Sequence, residues 1–161
     1  APTQVNGGSI RVFAKFKPIV NPAYGQSFPS ITDQDWRNFE EGVRLNGVAL
    51  MDWLYLQKGQ GHSVLGCGAS TKGNTLLQHY QIGPDLLPAI GERQPHKWGR
   101  ETVGTRIPII SEEEMRARKP DALLGLPWHL ADALMVREAW ATFAFPLPQF
   151  AVVGPKAIAV E

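Results

Sequence analysis

Residues 9–16 (SIRVFAKF) place Ile10, Val12, Ala14 and Phe16 against Ser9, Arg11 and Lys15, the period-two pattern of a half-buried strand. Pro18, Pro22, Gly25 and Pro29 then mark residues 17–30 as an extended arm. Thr32 or Asp33 can cap the helix that follows. Trp36, Phe39, Val43, Met51 and Leu54 recur at helical spacing up to about Tyr55, so this long amphipathic helix is expected to lay them on a sheet. Gly42 and Gly47 interrupt it, each costing about 1 kcal/mol relative to Ala. Beyond Gly61 the pattern changes to short apolar runs separated by Gly and Pro. It predicts strands at 63–65, 86–90, 107–110, 122–126 and 142–145. Helices are predicted at 72–81, at an acidic start after Ser111 that ends before Pro120, and at 130–140. Residues 91–104 read as a long loop.

Strands alternating with helices predict an α/β fold: a Rossmann-like, doubly wound, mostly parallel sheet of about five strands. An N-terminal strand, a Pro-rich arm and a long helix precede it. The boundary is expected near residue 31, giving an N-terminal piece 1–31 and a main domain 32–161. Ligands of such sheets bind outside the carboxyl ends of the strands. Those ends are the Gly66 turn, the 92–100 loop, the Ser111 turn, Trp128-His129 and the turn at 146–149.

The first of these carries the most chemistry. A glycine turn between a strand and a helix lets backbone approach a ligand, and the helix N-terminus favours negative charge. Lys72 adds a mobile cation at its mouth. The run Gly66-Cys67-Gly68-Ala69-Ser70-Thr71 has G-x-G, but Gly73 falls two residues late for the dinucleotide fingerprint, and no P-loop pattern is present. A tight turn without a ligand stands beside the anion-binding reading.

Composition narrows the rest. The 161 residues carry a formal net charge of +1, with no basic excess that would point to nucleic acid. One cysteine, Cys67, excludes a disulfide framework or a cysteine-based zinc site within the chain and reads as a small buried residue. No apolar run reaches transmembrane length and no signal peptide is visible, so a cytoplasmic location is expected.

In the 92–100 loop, Glu92 can accept from ribose hydroxyls or be a solvated strand end. Arg93, Lys97 and Arg100 can neutralise a diphosphate or form an exposed charged loop. Trp98 can stack on a base or anchor the loop. Trp128-His129 opens a helix, where His129 can face a ligand or act as a cap. There is no Ser-His-Asp spacing, no H-E-x-x-H and no paired carboxylate couple. No residue is assigned a catalytic or metal-ligating role.

Four blocks, in order, carry a resemblance. GCGASTKGNTLLQHYQIGPDLL, ERQPHKWGRETVG, GTRIPII and LLGLPWH resemble the C-terminal domain of sugar C-methyltransferases, whose runs are G-A-x-x-K-G-N-T-L-L, D/E-R-N-P-x-K-x-G, G-T-x-I-P-I and L-L-P-W-N. The match covers residues 66–149, and VNGGSIRVF is similar to the H-G-G-S-L-R-V strand, extending it to Asn6. The resemblance implies a domain that binds a nucleotide-diphosphate sugar. Gly68, Ala69, Lys72, Gly73 and Asn74 would serve the diphosphate side, and Glu92, Pro95, Lys97 and Gly99 the next loop. Trp128 and His129 match the P-W-N block. His129 and Gln94 stand where the family more often has Asn.

The resemblance also implies an S-adenosylmethionine cofactor, held by a methyl-donor domain supplied in cis or in trans. The zinc module, donor motif and catalytic segment of the full enzymes do not precede Asn6, so this chain is expected not to be catalytic alone, whether fragment or stand-alone relic. The alternatives are a dinucleotide- or CoA-binding module and a structural domain with a vestigial site.

Overall fold

A computed structural model describes residues 2–3, 9–10 and 30–155. It divides into two compact units, Ala1–Glu41 and Gly42–Glu161. In the first, strand β1 (Pro2–Thr3) pairs antiparallel with β2 (Ser9–Ile10) in the register Pro2↔Ile10. The expected strand 9–16 thus begins at β2, and the rest of it and the arm up to residue 29 lie outside the described residues. Helix α1 (Asp33–Gly59) starts at a reciprocal cap. The Asp35 carboxylate accepts from the Thr32 backbone N–H (2.8 Å) and hydroxyl (2.6 Å), and Asp35 N–H donates back to Thr32 Oγ1 at 3.2 Å. Those bonds hold the Asp35 carboxyl below its usual range.

The second unit is the α/β domain. Its six strands are β3 (Val64–Cys67), β4 (Ile90–Glu92), β5 (Ile109–Ser111), β6 (Ala122–Gly125), β7 (Phe143–Phe145) and β8 (Ala151–Val153). They lie in the order β5-β4-β3-β6-β7-β8. The first five are parallel and β8 is antiparallel to β7. This is the 3-2-1-4-5-6 order of the Rossmann fold, and its order reverses between β3 and β6. The fold class expected from the sequence is the one observed, with β8 as an additional edge strand.

Both faces of the sheet are covered, and the strand residues alternate between two cores. Val64, Ile90, Ala122, Leu124 and Ala144 join Leu50 and Leu54 of α1 and Leu76 and Leu77 of α2 (Thr71–His79). Leu65, Cys67, Leu123, Phe143 and Phe145 join Met115 of α3 (Glu112–Ala117) and Leu134 of α4 (Ala131–Arg137). A strand buried on both faces loses the period-two signal, and this is why its ends are the least legible feature of the sequence.

Several expected boundaries shift. The second strand of the sheet starts at Ile90, because residues 83–87 form a turn in which Leu86 and Leu87 N–H both bond Gly83 O. Glu92 therefore ends a buried strand rather than opening a loop. The connection from β4 to β5 holds a 3₁₀ turn, Pro95–Lys97, where a helix would ordinarily cross over. The expected helix 130–140 is a 3₁₀ turn, Trp128–Leu130, leading into α4. In α1 the buried residues are Gly47, Leu50 and Leu54, while Trp36 and Phe39 are exposed. Gly47 is no imperfection: a Cβ there would overlap the Tyr80 ring, whose hydroxyl donates to Val43 O at 2.7 Å. Among the described residues, no helix is long and apolar enough to cross a membrane.

Candidate functional site

The glycine turn leaves β3 at Cys67 and enters α2 at Thr71. Gly68 sits at φ +86°, a left-handed conformation disfavoured for residues with a Cβ, and a Cβ there would also lie 2.8 Å from the Pro127 ring. The turns after β3 and β6 are therefore in direct contact, at the point where the strand order reverses. Ser70 caps α2 by accepting from Gly73 N–H at 3.0 Å, as the strand–turn–helix reading of this segment requires. Gly73 lets α2 pack against Leu126, whose Cβ would be 2.6 Å from an added methyl.

Glu92 and Lys97 clamp the peptide groups of Ala69. The Glu92 carboxylate is buried and accepts from Ala69 N–H (2.9 Å) and Gln94 N–H (2.9 Å). Lys97 Nζ lies 3.3 Å from the same carboxylate and donates to Ala69 O at 3.0 Å. Trp98 Nε1 donates to Glu92 O at 2.6 Å, which assigns this side chain an anchoring contact. The charged pair thus holds two loops together, and every one of these bonds is made inside the protein.

A pocket of about 290 Å³ opens beside the clamp, next to the carboxyl ends of β3 and β6, against Ile90 and Ile109 at the start of β4 and β5, and over the first turns of α2. Ala69, Asn74 and Lys97 line it, together with Glu101, Thr102 and Val103 from the β4–β5 connection. The Asn74 Oδ1 atom is buried and lacks a hydrogen-bond partner. An unsatisfied buried acceptor costs about 1–3 kcal/mol, so it marks a group that something else is suited to satisfy.

The family model of the C-methyltransferase C-terminal domain matches residues 4–148. The chain belongs to that family. It is also 28% identical over 164 residues to C-methyltransferase NovU of Streptomyces niveus, an alignment covering 93% of this chain and 39% of that protein. The chain thus spans well under half the length of that curated relative.

Within this C-methyltransferase C-terminal domain, the expected site residues fall into separate groups. Gly68, Ala69, Gly73, Asn74, Glu92 and Lys97 come together around the turn. Pro95 opens the 3₁₀ turn that carries Lys97. Lys72 lies exposed on the first turn of α2. Gly99, at φ +72°, and Arg100 line a different pocket of about 350 Å³ with Trp98, Ser111 and Glu114. Gly99 N–H and Arg100 O bond Ile109 and so cover the outer edge of β5. Trp128 and His129 stand after β6; their rings meet edge-on at 6.3 Å, and His129 Nδ1 is buried without a partner.

A charged network on the opposite face of the sheet was missed in the sequence. Glu138, fully buried, accepts from Arg116 Nε at 2.8 Å and from Trp140 Nε1 at 3.0 Å. Arg137 reaches Glu112 at 2.7 Å, and Arg116 reaches the same carboxylate at 3.3 Å. Burial alone pushes the Glu138 carboxyl up, but the bonds from Arg116 and Trp140 and the nearby guanidinium charges outweigh it and hold it below the usual range. Only the Glu112–Arg116 spacing was legible, as an i,i+4 pair. Cys67 lies beside Arg137 on this face; burial pushes its thiol up to about 12, against a smaller opposing effect of Arg137, so it is an inert core thiol. Among the described residues, no group of three His, Cys, Asp or Glu side chains is placed to hold a metal ion.

Proposed function

We infer that this domain binds a nucleotide-diphosphate sugar and positions it for a methyl-donor domain outside the described residues. The observation that carries the reading is the pocket beside the glycine turn, at the carboxyl edge of the sheet where open α/β folds take ligands. Family membership supports methyl transfer as the setting. The role is positional: the domain holds the nucleotide and sugar while the second domain works on the sugar carbon.

The methyl donor, S-adenosylmethionine, would supply an electrophilic methyl group. The residues here do not suit it. Glu92 stands where a Rossmann-type site presents a carboxylate to ribose hydroxyls, but its oxygens are taken by Ala69 N–H, Gln94 N–H and Lys97. That engagement supports a seat for the donor elsewhere. Phosphates then fall to the N-terminal end of α2 and to Lys72, with Arg100 further along the edge.

Isothermal calorimetry of the chain with dTDP, UDP and NADH tests the reading. A nucleoside diphosphate should bind, and Lys72→Ala should weaken it by about tenfold, the loss of one charge-assisted contact. Binding of NADH alone would favour a dinucleotide module. Binding unchanged in Lys72→Ala would remove the glycine turn from the site.

A further inference from the structure

Resting on the nucleotide-sugar reading above, we propose that the pocket beside Asn74 receives an uncharged ring of the ligand. Asn74 accepts a hydrogen bond from an N–H or O–H on that ring, while the phosphates remain outside, along the glycine turn.

Three observations lead there. The Asn74 carboxamide oxygen is buried and makes no hydrogen bond, and Asn74 lines the pocket, so a turn of the carboxamide into the cavity would give that oxygen a ligand donor. The charged residues lining the pocket are Lys97 and Glu101, opposite in sign. Lys97 already neutralises the buried Glu92 and donates to Ala69 O, and Glu101 pairs with Arg106 at 3.1 Å. A diphosphate in this cavity would draw Lys97 from a buried carboxylate and set its own charge against Glu101. An uncharged ring disturbs neither pair. Finally, about 290 Å³ lies at the small end of ligand cavities (about 300–1,000 Å³), enough for one ring but not for a whole nucleotide sugar. Hydroxyls of Ser70 and Thr71 and the apolar surface of Leu77, Ile90 and Leu126 complete a lining suited to such a ring.

The donor can come from two sources with the same chemistry, the imide N–H of a pyrimidine or a hydroxyl of the sugar. Calorimetry of the 161-residue chain and of Asn74→Leu and Asn74→Ser, each checked for a native melting transition, separates them. The probes are dTDP, dTDP methylated at the imide nitrogen, dTDP-glucose and inorganic pyrophosphate. Asn74→Leu should lose about tenfold in affinity, one neutral hydrogen bond, and Asn74→Ser should retain part of it. If the base is the source, the loss appears with dTDP and vanishes with the methylated analogue. If the sugar is the source, it appears with dTDP-glucose alone. A loss of affinity for pyrophosphate itself, or no loss with any probe, would overturn the proposal while leaving nucleotide-sugar binding intact. If the unsubstituted chain binds none of the nucleotides, both readings fall together.

Discussion

At the scale of single residues, the site is built on small side chains and one buried carboxylate. Gly73→Ala weighs two effects against each other. Alanine gains up to about 1 kcal/mol in helix propensity, but its methyl would sit 2.6 Å from Leu126 Cβ, and overpacking of that kind costs about 1–3 kcal/mol. The expected result is a net loss of about 1 kcal/mol in a urea titration. Glu92→Ala removes the acceptor of two backbone N–H groups and the partner of Lys97, so it should cost about 2–3 kcal/mol in the same measurement. The glycines were legible in the sequence because a strand–turn–helix junction demands them. The use of Glu92 was not: its spacing from the turn suits a ribose acceptor, and only three dimensions show its oxygens turned back onto the protein.

At the scale of elements, the α3–α4 pairing rests on charge. Glu138 comes after the last turn of α4 and Arg116 in the last turn of α3, 22 residues away, so no local pattern joins them. Their bond pins one helix pair across the face of the sheet. The folded-state carboxyl titrates below its unfolded value of 4.5, so the unfolded chain binds the proton more readily. The stabilisation is therefore fully present above pH 4.5 and drains away as pH falls through the folded value. Urea midpoints measured from pH 7 downwards should hold steady and then drop below pH 4.5, and Glu138→Gln should flatten that drop. Glu138→Ala at pH 7 should cost about 2 kcal/mol, because it removes the acceptor of Arg116 and of Trp140 Nε1 and leaves Glu112 as the remaining partner of both arginines. Helix α1 carries a parallel lesson. Its period was plain, yet burial begins at Gly47, where the missing side chain admits the Tyr80 ring. Gly47→Ala should therefore lower the melting temperature despite improving propensity.

At the scale of the whole molecule, alternation of apolar runs with Gly and Pro was sufficient to read a doubly wound sheet and its five parallel strands. Strand β8 escaped because its three exposed residues follow two prolines and offer no burial pattern. The β4–β5 connection was legible as a loop, but its part in forming a pocket was not, since Thr102 and Val103 carry no chemical signature. The clamp on Ala69 has a consequence for the rate at which the backbone exchanges with solvent. Turn amides ordinarily trade their hydrogens quickly. That of Ala69 donates to a carboxylate buried at the end of β4, so deuterium should enter it as slowly as the adjoining strands, and Glu92→Gln should release it while leaving Leu65 and Leu123 protected.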